Sequence, residues 1–193
     1  MHKAFDDATA ILAGDALLTL AFQTLANSAI EPGRRVRVIS EIAAAAGTVN
    51  GMVGGQVADI EAEKKAADAA MLEYIHRSKT AALICGSIVA GAIAGGAGDD
   101  DVARLRRFGE QIGWAFQVVD DILDVSESSA SLGKTAGKDQ AQQKSTYPAL
   151  YGLEKSRAIA AELETKALHE LDFYGERAKR LRQVAQFLVA RRN

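Results

Sequence analysis

Three features of the sequence predict an all-α fold. Its 193 residues hold only two prolines, aromatic residues make up 6%, and alanine is in great excess. Alanine is the strongest helix former and proline the strongest breaker, so this composition favours helix nearly throughout. The length fits one domain over residues 1–193, large enough for a proper core. A hydrophobic share of 48% beside 25% charged residues is globular, and a formal charge of −2 gives no reason to expect nucleic-acid binding. The single Cys85 excludes an internal disulfide and fits a reducing compartment, most simply the cytoplasm. His2, His76 and His169 are scattered without metal-ligand spacing, and Met1 to Asp7 lacks the apolar core of a signal peptide.

Taken in order, Ala4 to Asn27 reads as a helix with a broad apolar surface from Ile11, Leu12, Leu17, Leu18, Leu20, Phe22 and Leu25. Asp6 and Asp7 suit its first turn, where acids favour the helix dipole. Asp15 is read as a satisfied core aspartate, with a supporting role behind a site as the alternative. Glu31-Pro32-Gly33 is a break, followed by a helix from about Arg34 to Gly47. The pair Gly54-Gly55 suggests a closely packed backbone, for packing alone or to bring Gln56 and Asp59 towards a ligand. Glu61 to Lys65 reads as a solvated charged segment, and Asp68 as the N-cap of a helix through Ile75.

Ala81 to Gly98 carries no charge and is long enough to span a bilayer, with Gly91-x-x-x-Gly95 as a small-residue contact pattern. Its alanine and glycine content, without an aromatic belt or flanking charge asymmetry, favours a central helix of a bundle, and no transmembrane segment is expected. Lys79 at its mouth is either a surface cation or one pointed into a cavity. Asp99-Asp100-Asp101 starts a long helix after a glycine-rich turn, so capping and the dipole account for it. Beyond Val125 the sequence turns polar, and a flexible loop carrying Lys134, Lys138 and Lys144 is expected up to Tyr147-Pro148. Helices from about Leu153 to Phe173 and Arg177 to Ala190 complete the chain.

The chemistry lies in Phe116-Gln117-Val118-Val119-Asp120-Asp121-Ile122-Leu123-Asp124. On a helix Asp120 and Asp124 share a face, Asp121 lies about 100° round, and Gln117 points at the same patch. Three carboxylates so close repel unless a cation or a row of donors faces them. The apolar flanks leave no wide polar face, and carboxylates embedded in an apolar helix have partners. Oxygen ligands without histidine or thiol suit Mg²⁺, which takes one or two carboxylates and fills its shell with water and phosphate. A cationic loop just beyond such a motif can close over phosphate and exclude water.

Gln117-x-x-Asp120-Asp121-x-x-Asp124, Gly133-Lys134, Lys138-Asp139 and Lys144-Ser145-Thr146-Tyr147-Pro148 together resemble the trans-isoprenyl diphosphate synthases. Leu12 to Leu18, Gly54-Gly55-Gln56-x-x-Asp59 and His76-x-x-Lys79-Thr80 are similar to that family's other landmarks, in order along the whole chain. The resemblance implies an isoprenoid-synthase-type helical bundle, a homodimer, and condensation of an allylic diphosphate with isopentenyl diphosphate. It implies Asp120, Asp121 and Asp124 as Mg²⁺ ligands, and Lys79 and Lys134, with Lys144 assisting, as ligands of the allylic diphosphate. Thr80 and Gln117 are implied to direct oxygen dipoles at the allylic carbocation.

The family's first aspartate-rich motif falls before the segment matching His2-Lys3-Ala4-Phe5, as do its isopentenyl diphosphate ligands. The expectation is therefore a bundle without its N-terminal helices, inactive as a prenyltransferase and exposing apolar surface. The alternative is a natural non-catalytic subunit that modulates a full-length synthase. The wording from Ser128-Ser129 to Asp139 leans towards the geranylgeranyl type.

Overall fold

The computed structural model describes the backbone of residues 1–63, 68–132 and 146–190, and the side chains of all of these except 127–132. Every regular element among them is helical. The order is α1 (Asp7–Ala26), α2 (Pro32–Ala46), α3 (Met52–Ala62), α4 (Ala69–Ile75), a π-helical segment His76–Ala81, α5 (Ala82–Ala94), α6 (Asp99–Leu132), α7 (Tyr147–Tyr151), α8 (Leu153–Glu170), a 3₁₀ segment Asp172–Ala178, and α9 (Lys179–Val189).

Local chemistry sets most of these starts. Asp6 caps α1 by accepting from the Thr9 N–H, and Glu31 caps α2 from the N–H groups of Gly33 and Arg34, with Pro32 at its first position. Asp68 caps α4 through the Ala70 N–H, as predicted. Asp99, Asp100 and Asp101 form the first turn of α6, and two of them bind neighbours. Arg37 reaches Asp99 at 2.8 Å, and the Tyr174 hydroxyl donates to Asp101 at 2.8 Å.

The bundle is organised around α6. Phe108 and Ile112 pack with Ala167, Leu171 and Ala185 from the C-terminal helices. One to three turns on, Ala115, Val118, Val119 and Ile122 pack with Leu72, Tyr147, Ala160 and Leu163. Near the start of α6, Val102 joins Val38, Cys85, Val89 and Ile93 from α2 and α5. Each large apolar side chain fully buried in this way contributes about 1.5–3 kcal/mol.

Several expectations change. The close backbone approaches of α5 do not use the Gly91/Gly95 pair: a Cβ on Gly91 meets nothing within 4 Å. They occur instead at Gly86, where a Cβ would stand 2.6 Å from that of Ala45, and at Gly109 of α6, 2.8 Å from Cys85 Cα. Helix α6 also runs seven residues past Val125, to Leu132. Serine, glutamate and alanine propagate a helix already nucleated, and no glycine or proline occurs before Gly133. Asp15 is exposed on α1, so the core reading fails.

None of the residues of α1 is buried. Ile11, Leu12, Leu17, Leu18 and Leu20 are each more than half exposed, and Val36, Val49, Val53, Val57 and Ile60 of neighbouring segments are also open. Among the described residues, α1 is the one helix long and apolar enough to cross a membrane by length and composition. The uncharged stretch suspected of spanning is instead divided between the π segment and α5, where Ala81, Cys85, Val89, Ala90 and Ile93 lie in the core.

Candidate functional site

The site forms where α3, the π segment and α6 meet, and glycines bring their backbones together. A Cβ at Gly55 would press on the backbone nitrogen of Lys79 and stand 2.7 Å from its Cα. A Cβ at Gly113 would stand 2.7 Å from the Cα of Ala81. The π segment, six residues at the kind of helical irregularity often found at functional sites, is thus gripped from both sides. It carries His76, Lys79 and Thr80.

These residues line a cavity of about 330 Å³. Asp59 comes from α3 and Glu63 from its C-cap, Leu72 and Ile75 from α4, and His76, Lys79 and Thr80 from the π segment. Phe116, Gln117, Asp120, Asp121 and Asp124 come from α6, and Thr146 stands at the start of α7. All six predicted site residues that the structure describes therefore meet in one cavity. Lys134 and Lys144 lie outside the described residues.

The lining is strongly acidic: Asp59, Glu63, Asp120, Asp121 and Asp124 face Lys79. Lys79 Nζ is paired with Asp59 Oδ2 at 2.6 Å, the two side chains being 36% and 26% exposed, which answers whether this lysine is a surface cation. The Thr80 hydroxyl donates to Gln117 Oε1 at 2.6 Å. That commits its proton and leaves lone pairs on the Thr80 oxygen.

Asp121 and Asp124 differ sharply. Asp124 is exposed and Asp120 half-buried, while Asp121 is 6% exposed. Asp121 Oδ2 accepts from the Tyr147 N–H at 3.0 Å and lies 3.3 Å from Nε2 of buried His76. The His76 ring stacks on Tyr147 with centroids 5.2 Å apart. The Tyr147 hydroxyl accepts from Trp114 Nε1–H at 2.9 Å, and burial pushes its phenol up to about 12. Arg77 lies over the Trp114 ring at 4.1 Å.

As donors for a cation, Asp120 and Asp124 offer hard oxygens at the cavity wall. Among the described residues no three His, Cys, Asp or Glu side chains converge to hold a metal alone. Such a set fits a cation shared with phosphate and water, the mode Mg²⁺ favours, better than a closed protein cage.

Sequence reasoning assigned no role to His76 and left Asp59 between packing and ligand. A signal for Asp59 exists: it lies four residues after the tightly packed Gly55, hence on the same helix face. His76 had no comparable signal, because a π segment breaks the 3.6-residue spacing from which facing residues are inferred.

An all-helical bundle that sets an aspartate-rich helix against a lysine across one cavity is the class of protein that the fold and site define. Residues 1–187 match the polyprenyl synthetase family model, and the chain belongs to that family. It is 48% identical over 200 residues to the heterodimeric geranylgeranyl pyrophosphate synthase large subunit 1, chloroplastic, of Arabidopsis thaliana, covering 100% of this chain and 54% of that protein. The apo structure of an FPP/GFPP synthase from Zymomonas mobilis superposes with a TM-score of 0.83 at 38% identity, covering 97% of this chain and 63% of that one. The geranyltransferase of Helicobacter pylori, solved with magnesium and isoprenyl diphosphate, gives a TM-score of 0.76 at 34% identity over 98% of this chain and 61% of that one. The chain spans about half the length of the curated relatives it matches.

Proposed function

We propose that this chain carries the allylic-diphosphate side of a short-chain trans-prenyltransferase that joins dimethylallyl, geranyl or farnesyl diphosphate to isopentenyl diphosphate. The observation that carries the reading is the single cavity in which Lys79, Thr80, Gln117, Asp120 and Asp124 meet. In the reaction the allylic C–O bond breaks and its electron pair leaves with the diphosphate. The double bond of isopentenyl diphosphate attacks the resulting cation, a C–C bond forms, and a proton passes to the released diphosphate.

Mg²⁺, when bound, supplies positive charge to the leaving diphosphate. Asp120 and Asp121 are the residues that would hold it, with Asp124 as the third acid of the motif. Lys79 is placed to exchange Asp59 for a diphosphate oxygen, with Lys134 and Lys144 as further phosphate ligands. The Thr80 oxygen and the Gln117 amide offer fixed dipoles where positive charge develops, a contribution that costs no reorganisation during reaction. A subunit that only modulates another synthase has no physical need of five carboxylates around one cavity, so the enzymatic reading is preferred.

The geranylgeranyl type is the product class favoured by the wording of residues 128–139. The uncovered apolar side of α1 supports self-association as a homodimer, and the unpaired Cys85 supports a reducing compartment such as the cytoplasm. Calorimetric titration of the chain with inorganic diphosphate, with and without Mg²⁺, tests the site. Binding that requires Mg²⁺ and is lost in Lys79→Ala supports it, and Mg²⁺-independent binding or none refutes it. Light scattering tests the dimer, which a monodisperse monomer would exclude.

A further inference from the structure

We propose that Asp121 is first a positioning residue: through Oδ2 it clamps the backbone of Tyr147, the first residue of α7, to α6 beside His76, so that Asp120 and Asp124 carry most of the cation binding. The inference deepens the reading of the cavity as a Mg²⁺–diphosphate site and rests on it for the roles of the other two aspartates.

The motif reads as three equivalent acids, but the fold does not treat them alike. Asp121 Oδ2 takes the backbone N–H of Tyr147 at 3.0 Å. That N–H opens α7, where a helix leaves its first donors without intrahelical partners. The same oxygen faces His76 Nε2 at 3.3 Å. His76 is 4% exposed and its Nδ1 finds no hydrogen-bond partner among the described residues. The carboxylate stands beside Nε2 as a charged group facing this buried ring. The ring also lies against Tyr147 at an interplanar angle of 25°, so one histidine supports both halves of the contact. The Trp114 hydrogen bond to the Tyr147 hydroxyl holds the far end of that side chain.

Three separate contacts thus converge on Tyr147, and Asp121 is the one that reaches its backbone. Both contacts fall on Asp121 Oδ2, so swinging the carboxylate away to chelate a cation would strip the Tyr147 N–H of its acceptor. Thr146, which lines the cavity, directly precedes the clamped residue. The clamp therefore fixes a wall of the cavity that Asp120 and Asp121 both line.

Substitutions that separate acceptor from anion test this. Asp121→Asn keeps a carbonyl oxygen for the Tyr147 N–H but is a poor cation ligand. The expected result is a Mg²⁺-dependent affinity for inorganic diphosphate within about threefold of the parent, where Asp120→Asn loses about tenfold or more, the usual cost of a lost charged contact. His76→Phe keeps an aromatic ring against Tyr147 and removes the nitrogen that faces Asp121. It and Asp121→Ala should speed Tyr147 amide exchange about tenfold, as expected for a lost local hydrogen bond, and Asp121→Asn should not. Equal loss of affinity in Asp121→Asn and Asp120→Asn, or unchanged Tyr147 exchange in both His76→Phe and Asp121→Ala, overturns the proposal. If the parent chain shows no Mg²⁺-dependent diphosphate binding, the reading of the cavity fails instead, and Tyr147 exchange alone still decides for or against the clamp. Should Asp121→Ala not fold, Asp121→Asn and His76→Phe carry the test.

Discussion

Replacing Gly55 by alanine should destabilise the protein and disturb the cavity, although alanine is the better helix former. Gly55 is buried in α3 with the π segment directly against it. The added methyl would meet main-chain atoms of Ser78 and Lys79, at 2.8 Å from the Ser78 carbonyl carbon and 2.7 Å from Lys79 Cα. Ordinary contact begins at 3.4 Å, and main-chain atoms cannot rotate away as a side chain can. Close-packed interiors absorb little of this, so α3 and the π segment must separate by about 1 Å. Overpacking of this kind costs about 1–3 kcal/mol, and backbone-on-backbone contact puts the case at or above the upper end. Helix propensity returns about 1 kcal/mol. The net expectation is about 2 kcal/mol lost, or a Tm lower by about 4–8 °C for a chain of this size.

Asp59 lies one turn beyond Gly55, so the same displacement draws its carboxylate from Lys79 and should weaken diphosphate binding. Gly91→Ala is the matched control, because its Cβ meets nothing within 4 Å and the site is helical. It should stabilise by about 0.5–1 kcal/mol. Thermal denaturation by circular dichroism reads both variants. If Gly55→Ala melts at or above the parent temperature, the contact is not as tight as described and the reasoning fails. Destabilisation of both variants alike would refute it equally, since the contrast between them is what the packing dictates.

Alkaline pH should weaken the fold in two steps. Burial raises the Cys85 thiol from 9.0 to about 11 and the Tyr147 phenol from 10.0 to about 12. The unfolded chain thus loses these protons first, and stability is intact below about pH 9 and falls as pH rises through those windows. Cys85→Ala should remove the lower step and leave the upper one in urea denaturation across the alkaline range. Arg106 holds Glu41 through two hydrogen bonds of 2.7 and 2.8 Å, joining α6 to α2. Arg106→Met leaves Glu41, 18% exposed, without that partner and should cost about 1–3 kcal/mol. The double variant with Glu41→Leu should be less costly than Arg106→Met alone, measured as a double-mutant cycle in urea. Trp114→Phe should cost about 1 kcal/mol by removing the Nε1–H donor to Tyr147, and equal midpoints in urea would contradict that.

Composition and punctuation were enough to read the helices, because capping is local: Asp6, Glu31 and Asp68 act on donors within a few residues. The bringing together of Lys79, Gln117 and Asp120 came from motif order, and the cavity supplies its physical reason. What stayed hidden depends on contacts distant in sequence. Adjacent aspartates point about 100° apart on a helix, and which of them turns inwards is settled by Tyr147, 26 residues beyond Asp121. The glycines at 91 and 95 form the familiar spacing, yet close approach falls at 86, 109 and 113, because the neighbours Ala45, Cys85 and Ala81 decide it. The extension of α6 to Leu132 was missed because polarity was read as loop, although polar residues without glycine or proline continue a helix readily.

On the proposed function, the pairing of Lys79 with Asp59 bears on the order in which cation and diphosphate bind. Both side chains are partly exposed, and ion pairs of that kind are worth about 0–1 kcal/mol. Lys79 is therefore held in place at little energetic cost to its later exchange. A diphosphate, with several negative oxygens, can outcompete a single carboxylate for it. Once Lys79 turns to phosphate, Asp59 rejoins Glu63, Asp120 and Asp124 as an anion of the same lining. Lys79 keeps its charge in the cavity, so what is added is the negative charge of the diphosphate, beside carboxylates that Lys79 no longer faces. Diphosphate arriving without a cation thus raises the repulsion it meets, and a cation arriving first lowers it. On the proposed function, the acidic lining makes binding of the two cooperative, with Asp59 as the residue that strengthens the link.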